Sequence, residues 1–108
     1  MERVAVVIPN WNGARFLPDC LESLRGQTFR DFVTYVVDNG SRDGSLELLR
    51  QRYPEVQVLG FPENRGFSAA INAGVAASRG EYVAALNNDT EVDPAWLEGK
   101  RSGKPSFA

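Results

Sequence analysis

Histidine is absent from this 108-residue sequence, so no imidazole is available for acid–base catalysis or for binding a metal. A bound metal would need oxygen ligands, which favours Mg²⁺ or Mn²⁺ over zinc. The single cysteine, Cys20, cannot form a disulfide within the chain and lies among apolar residues. We therefore predict that Cys20 is a core residue of a protein in a reducing compartment.

Long apolar segments are also missing from the sequence. No stretch approaches the ~20 apolar residues of a membrane span, and the short run before Pro9 does not resemble a signal peptide. We expect a cytoplasmic protein, either free or at the inner face of the membrane. The formal net charge is only −2, and without a broad basic surface we expect no nucleic-acid partner.

The sequence does contain a regular alternation of strand and helix patterns. Its hydrophobic content of 43% suits one globular domain. The unbroken apolar run at residues 4–8 is typical of a parallel strand covered on both faces. Strands that alternate with helices predict an α/β fold with a mainly parallel sheet. The predicted strands are residues 4–8, 32–37, 56–59 and 82–86. The first predicted helix covers about residues 14–26, and the second runs from a cap at Ser41 or Asp43 to Pro54. The third runs from Phe67 to a cap at Gly80, and a short fourth helix covers residues 95–97.

Polar clusters follow three of the predicted strands. They are residues 9–12 (Pro-Asn-Trp-Asn), 38–41 (Asp-Asn-Gly-Ser) and 87–89 (Asn-Asn-Asp). Ligands of open parallel sheets bind beyond the carboxyl ends of the strands. If the first strand neighbours the second and the fourth, all three clusters meet in one crevice, which is the predicted site.

Two aspartates in these clusters are candidate ligand-binding residues. In one interpretation, Asp38 at its strand end accepts a hydrogen bond from the ring N–H of uracil or thymine. In the other, its carboxylate only forms a local turn with the backbone amides that follow. Asp89 has the position to bind a Mg²⁺ or Mn²⁺ ion that bridges two phosphates, or it caps the helix near Pro94. The local sequence leaves both alternatives open.

The remaining candidates are an aromatic residue and a loop. Trp11 either stacks on a base or sugar or forms a lid over the core. The loop of residues 63–67 places Gly66 at a helix start, where phosphate or ribose can approach backbone N–H groups. Within this loop, Arg65 is more typical of a surface charge than of a phosphate clamp.

Four segments in order resemble the motifs of family 2 glycosyltransferases, which have the GT-A fold. They are residues 7–13, 37–45, 64–74 and 86–90, and the resemblance covers about residues 3–98. Such enzymes transfer a sugar from a nucleotide diphosphate donor to an acceptor, usually with inversion at the anomeric carbon. The resemblance thus implies an enzyme of cell-surface polysaccharide biosynthesis.

The resemblance also implies roles for individual residues. Asp38 would contact the base, and Asp89 would bind Mg²⁺ or Mn²⁺ as the last residue of a DXD-like motif whose first position is Asn87. The sequence Asn-Asn-Asp-Thr at residues 87–90 resembles the rhamnosyltransferase-like branch, which implies a deoxythymidine diphosphate sugar as an alternative to a UDP-sugar. The implied nucleotide-binding residues are Pro9, Asn10, Trp11, Asn12, Asp38, Asn64, Gly66 and Asn87.

We expect residues 1–98 to form the nucleotide-sugar-binding part of such an enzyme, truncated after the DXD-like motif, and residues 99–108 to form a tail. Family members continue into a half that binds a glycan or lipid-linked acceptor and supplies the general base. The later acids Glu91, Asp93 and Glu98 suit surface or capping roles, so no catalytic base is assigned.

The sequence allows two other interpretations of the whole chain besides sugar transfer. The first is a nucleotide-binding remnant without turnover, whose exposed sheet edge would allow association into a homo-oligomer. The second is a dinucleotide-binding or flavodoxin-like protein. That class is disfavoured because Pro9 occupies the first turn and no glycine-rich phosphate loop follows the first strand.

Overall fold

The computed structural model describes residues 3–79 and 82–100. Its strands are β1 (Val4–Asn10), β2 (Phe32–Asn39), β3 (Gln57–Phe61) and β4 (Tyr82–Ala85), and its helices are α1 (Leu17–Arg25), α2 (Ser45–Arg52), α3 (Phe67–Ala77) and α4 (Trp96–Lys100). The strands form one sheet in the order β3-β2-β1-β4, and all neighbouring strands are parallel. The predicted α/β class with a parallel sheet is confirmed.

β1 lies inside the sheet because both of its faces are apolar. Its even-numbered residues from Val4 to Ile8 contribute to the larger core, which the sheet forms with α1, α2 and α4. Val7 belongs to a smaller cluster on the opposite face, where α3 packs. A Cβ atom at Gly74 of α3 would overlap the Val7 side chain. Glycine at this position therefore lets α3 lie close to β1.

β1 and β2 extend further than the sequence predicts. β2 continues past residue 37 to Asn39, because Asp38 is in parallel register with Asn10 on one side and with Gly60 on the other. The residue types alone predict a turn at this position, but the pairing of neighbouring strands keeps these polar residues extended. Asp38 and Asn39 are therefore held by the sheet rather than by a loop.

Two elements begin later than predicted. α1 starts at Leu17 rather than near residue 14, because the Gly13 carbonyl accepts hydrogen bonds from the amides of Phe16 and Leu17 in a preceding turn. Pro18 lies in the first turn of α1, where its missing N–H is tolerated. β3 starts at Gln57, one residue after the predicted start.

The predicted cap of α2 at Ser41 or Asp43 is wrong in detail. The N-cap residue is Gly44, whose φ is +87°. Asp43 still contributes, because its Oδ1 accepts hydrogen bonds from the amide and the hydroxyl of Ser45 at 3.1 and 2.6 Å. The Asp43 carboxylate thus caps α2 from the residue before the N-cap residue, Gly44.

The last two helices also differ from the predicted bounds. The C-cap of α3 is Ser78, and the predicted cap, Gly80, lies outside the described residues. α4 continues to Lys100, so the boundary expected at residue 98 falls inside this helix. Residues 101–108 of the expected tail lie outside the described part. No helix in that part is long and apolar enough to span a membrane.

Candidate functional site

The carboxyl ends of β1, β2 and β4 adjoin one cleft of about 360 Å³. The strand order places β1 between β2 and β4, which satisfies the condition for convergence stated from the sequence. The cleft is lined by Pro9, Asn10, Trp11, Asn39, Asn64, Phe67, Asn87, Asn88 and Asp89. Six of the nine predicted site residues are among them, whereas Asn12, Asp38 and Gly66 are not.

A chain of side-chain hydrogen bonds joins the three strand ends. Asn10, only 1% exposed, donates through Nδ2 to Asp38 Oδ1 at 3.0 Å. Its Oδ1 accepts a hydrogen bond from Asn88 Nδ2 at 2.8 Å. The end of β1 is thereby connected to the end of β2 and to the loop after β4.

Asp38 lies beneath the cleft rather than on its surface. Its side chain is 1% exposed, and its second oxygen, Oδ2, accepts a hydrogen bond from the Ser41 amide at 2.9 Å. This is the local turn interaction that the sequence left open. Each carboxylate oxygen has a second lone pair, so these bonds leave acceptor capacity at Asp38.

Asn12 braces two loops instead of lining the cleft. Its amide donates to Ser41 Oγ at 2.8 Å, and its side-chain Oδ1 accepts from the Arg42 amide at 2.9 Å. The Ala14 amide donates to Asp43 Oδ2 at 2.9 Å in the same interface. These bonds hold the loop after β1 against the loop after β2.

The loop before α3 is held by two asparagines. The Asn64 Oδ1 accepts a hydrogen bond from the Gly66 amide at 2.8 Å. Asn39, which is buried, accepts from the Arg65 amide at 3.2 Å and donates to the Gly66 carbonyl at 3.3 Å. The Arg65 guanidinium lies over the Phe61 ring, 4.9 Å from its centroid. That stacking leaves Arg65 as a surface residue, as the sequence indicates.

Asp89 lies in an exposed turn at the rim of the cleft. The Thr90 amide donates to the Asn87 carbonyl at 3.2 Å and closes this turn. The capping alternative for Asp89 is wrong, because Asp93 accepts the hydrogen bond from the Ala95 amide at 2.8 Å. Within residues 3–79 and 82–100, no protein group donates a hydrogen bond to the Asp89 carboxylate.

Two aromatic side chains line the cleft and are largely exposed. Trp11 is 55% exposed and Phe67 is 59% exposed. Trp11 therefore does not form a lid over the core. Phe67 begins α3 and is exposed, although its position matches the apolar periodicity of this helix. Exposed aromatic faces at the rim of a polar cleft suit stacking on a planar ring or a sugar.

Cys20 lies beneath the Asn87 loop and is chemically inert. Its Sγ is 3.9 Å from the Asn87 carbonyl oxygen. Burial, together with the negative charges of Asp89 and Glu91, raises the pKa of the Cys20 thiol to about 12. The thiol therefore stays protonated at neutral pH, and the prediction that Cys20 is a core residue is confirmed.

Sequence reasoning gives no binding role to three residues that line the cleft, although Asn39 and Asn88 belong to the predicted strand-end clusters and Phe67 to the loop of residues 63–67. Asn39 and Asn88 stand beside predicted site residues, but turn propensity alone accounts for an asparagine in either place. Phe67 fits the apolar periodicity of α3, which conceals its exposure. The available signal was the strand-end position of the two asparagines.

Comparison with known proteins identifies relatives over most of the chain. The family model described as glycosyl transferase family 2 matches residues 5–99. Glycosyltransferase AglE of Haloferax volcanii is 37% identical over 100 residues, covering 88% of this chain and 33% of that protein. Chondroitin synthase of Pasteurella multocida is 32% identical over 98 residues, covering 88% of this chain and 10% of the synthase. The chain thus spans a third or less of these relatives' length.

Solved structures share the fold. Residues 1–349 of TarS from S. aureus, in complex with UDP-GlcNAc, superpose with a TM-score of 0.85 at 23% identity, covering 93% of this chain and 30% of that fragment. The mannosyltransferase PcManGT from Pyrobaculum calidifontis, in complex with GDP-Man and Mn²⁺, gives a TM-score of 0.74 at 26% identity, covering 81% and 27%.

Proposed function

Because its sequence matches the family model over residues 5–99, the chain belongs to glycosyl transferase family 2, and on that premise we propose that its cleft binds the nucleoside diphosphate of a sugar donor. The observation that carries the proposal is the meeting of three polar strand ends beside the Asp89 carboxylate. The parallel sheet expected for the GT-A fold is present. The full-length enzyme would transfer the sugar to an acceptor hydroxyl.

A divalent metal at Asp89 would hold the diphosphate. The described residues contain no group of three His, Cys, Asp or Glu side chains that could bind an ion. The protein would therefore supply one carboxylate, with phosphate, water and neighbouring amide oxygens supplying the remaining ligands. This oxygen-only set fits Mg²⁺ or Mn²⁺, which bind through few carboxylates together with substrate phosphates. The metal would offset the negative charge on the departing diphosphate.

Base recognition would fall to Asp38 and Trp11. The donors Asn10 and Ser41 keep the Asp38 carboxylate in place as an acceptor, which suits the ring N–H of uracil or thymine. The exposed Trp11 ring would stack on the base. Asn64 holds the amide of Gly66, the N-cap residue of α3, and Gly66 without a side chain would let ribose or phosphate approach the backbone N–H groups of the first turn of α3.

The donor is proposed to be a UDP-sugar or a dTDP-sugar. The Asn-Asn-Asp-Thr segment at residues 87–90 supports the second of these by its resemblance to the rhamnosyltransferase-like branch. We further propose a glycan or lipid-linked acceptor in cell-surface polysaccharide synthesis. A cytoplasmic location is proposed because the one cysteine, Cys20, is buried and has no partner for a disulfide within the chain. The edges of β3 and β4 would offer surfaces for self-association.

A second candidate function is nucleotide binding without transfer. It is favoured by Asn87, which removes one carboxylate from the DXD-like motif, and by the positions of the later acids. Asp93 caps α4, and Glu98 Oε1 accepts a hydrogen bond from the Thr28 hydroxyl at 3.3 Å. No described acid other than Asp89 lines the cleft.

Calorimetric titration of UDP and dTDP with and without Mn²⁺ tests the proposal. We expect Mn²⁺ to strengthen binding in the wild type, and Asp89→Ala to abolish that gain. Asp31→Ala is the matched control, because Asp31 is an exposed aspartate that precedes β2 at the opposite end of the sheet. Absence of binding, or an Mn²⁺ gain that survives in Asp89→Ala, would contradict the proposal.

A further inference from the structure

The amide groups of Asn88 and Asn10 have orientations that cannot be exchanged. The Asp38 carboxylate only accepts hydrogen bonds, so Asn10 must turn its Nδ2 towards Asp38. The Asn10 Oδ1 then faces the loop after β4 and needs a donor, which is Asn88 Nδ2. The Asp38 carboxylate therefore sets the donor-to-acceptor direction of both hydrogen bonds, from Asn88 to Asn10 and from Asn10 to Asp38.

Gly13 leaves the space in which these two amides meet. A Cβ atom at Gly13 would overlap both Asn88 Nδ2 and Asn10 Oδ1. The backbone before α1 thus lies directly against the hydrogen bond between the two side chains. Because Gly13 is buried, this bond is partly shielded from solvent and is worth more than one on the surface.

We infer that Asn88 is a positioning residue that sets the place of Asp89 relative to Asp38 through Asn10. The inference rests on the proposed function, in which Asp89 binds the metal on the diphosphate and Asp38 binds the base. A nucleoside diphosphate has a fixed range of distances between these two parts. The chain from Asn88 to Asp38 holds the two contacts at one separation, so the loop carrying Asp89 does not have to be ordered by the ligand.

Two substitutions of Asn88 separate this role from general support of the fold. Asn88→Ala releases the loop that carries Asp89 but leaves the bond between Asn10 and Asp38 intact. Asn88→Asp places a carboxylate against the Asn10 Oδ1, so two acceptors face each other and the bond to Asp38 is also disturbed. Asn72→Asp is the charge-matched control, because Asn72 is an exposed residue of α3 that does not line the cleft.

The affinity of each variant is measured for UDP with and without Mn²⁺ and for uridine, which has no phosphate. In Asn88→Ala we expect the Mn²⁺ gain in UDP affinity to fall roughly five- to tenfold, while uridine affinity stays within about twofold of the wild type. Asn88→Asp should weaken uridine binding as well, and Asn72→Asp should behave as the wild type.

Several results would overturn the inference. One is an Mn²⁺ gain that Asn88→Ala leaves unchanged, and another is an equal loss of UDP and uridine affinity in that variant, which indicates only a structural role. If the wild type binds neither ligand, the proposed function fails, and thermal unfolding then tests the hydrogen-bond chain alone. If these hydrogen bonds form, the melting temperature should fall from wild type to Asn88→Ala and again to Asn88→Asp. Equal melting temperatures would refute the hydrogen bonds.

Discussion

Replacement of Gly13 by alanine should destabilise the protein although its backbone would accept alanine. The added Cβ would overlap the Asn88 amide nitrogen and the Asn10 amide oxygen. The Asn10 side chain is not free to move, because it is buried and bonded to Asp38. The expected relief is a displacement of Asn88, which breaks its 2.8 Å hydrogen bond to Asn10.

The magnitude follows from two opposing effects. A buried carbonyl oxygen left without its donor costs about 1–3 kcal/mol, whereas glycine to alanine in an accessible conformation stabilises by about 0.4–1 kcal/mol through the unfolded chain. The net change in the free energy of unfolding is therefore a loss of up to about 2.5 kcal/mol, with a central value of about 1 kcal/mol. The loop that carries Asp89 should loosen at the same time.

Urea denaturation of matched variants measures this loss. Gly26→Ala is the control, because a Cβ there would lie 3.7 Å from the nearest backbone atoms and φ is −85°. We expect Gly26→Ala to gain stability and Gly13→Ala to lose it. In the double variant Gly13→Ala/Asn88→Ala the two losses should not add, since both remove the same bond. A Gly13→Ala protein as stable as Gly26→Ala would refute the reasoning.

Two further predictions concern packing and charge. Gly74→Ala should lower the free energy of unfolding by up to about 2 kcal/mol, because overlap with Val7 outweighs the better helix propensity of alanine. A thermal melting curve measures this, and a rise in melting temperature would contradict it. Burial raises the pKa of Asp43, but hydrogen bonds from Ser45 and Ala14 outweigh it and leave the pKa below its usual value. Asp43→Asn should therefore lower stability by about 1 kcal/mol or less at neutral pH, since the side chain is exposed. The difference from the wild type should shrink as the pH falls below ~4, because Asp43 is protonated first in the unfolded chain and, owing to its lowered pKa, only at lower pH in the folded protein. A difference that grows in acid would argue against these bonds.

The sequence predicted the strands well but not their ends. The apolar runs of β1 and β2 are local signals, and they place the central strands correctly. The extension of β2 through Asp38 and Asn39 depends on its pairing with β1 and β3, which no local pattern contains. The position of Gly44 rather than Asp43 at the start of α2 likewise depends on the contact between Asp43 and Ala14.

The site was predicted as a place more accurately than as a set of contacts. The strand-end clusters and the order of the sheet are enough to bring Asp89, Asn10 and Trp11 to one cleft. The same reasoning cannot assign Asn88 to a hydrogen bond with Asn10, because turn propensity alone is enough to explain an asparagine at this position. The roles of Asp38 as a base ligand and of Asp89 as a metal ligand stay predictions.

The place of β1 in the sheet has a consequence for the order of folding. β1 precedes β2, β3 and β4 along the chain, and Val4 pairs with Phe32 on one side and with Tyr82 on the other. The β1–β2 pair can form early, whereas the other edge of β1 stays unpaired until β4 has been synthesised. Until then an apolar central strand exposes unpaired amides, so we expect nascent chains to aggregate or to recruit chaperones at this stage rather than at later ones.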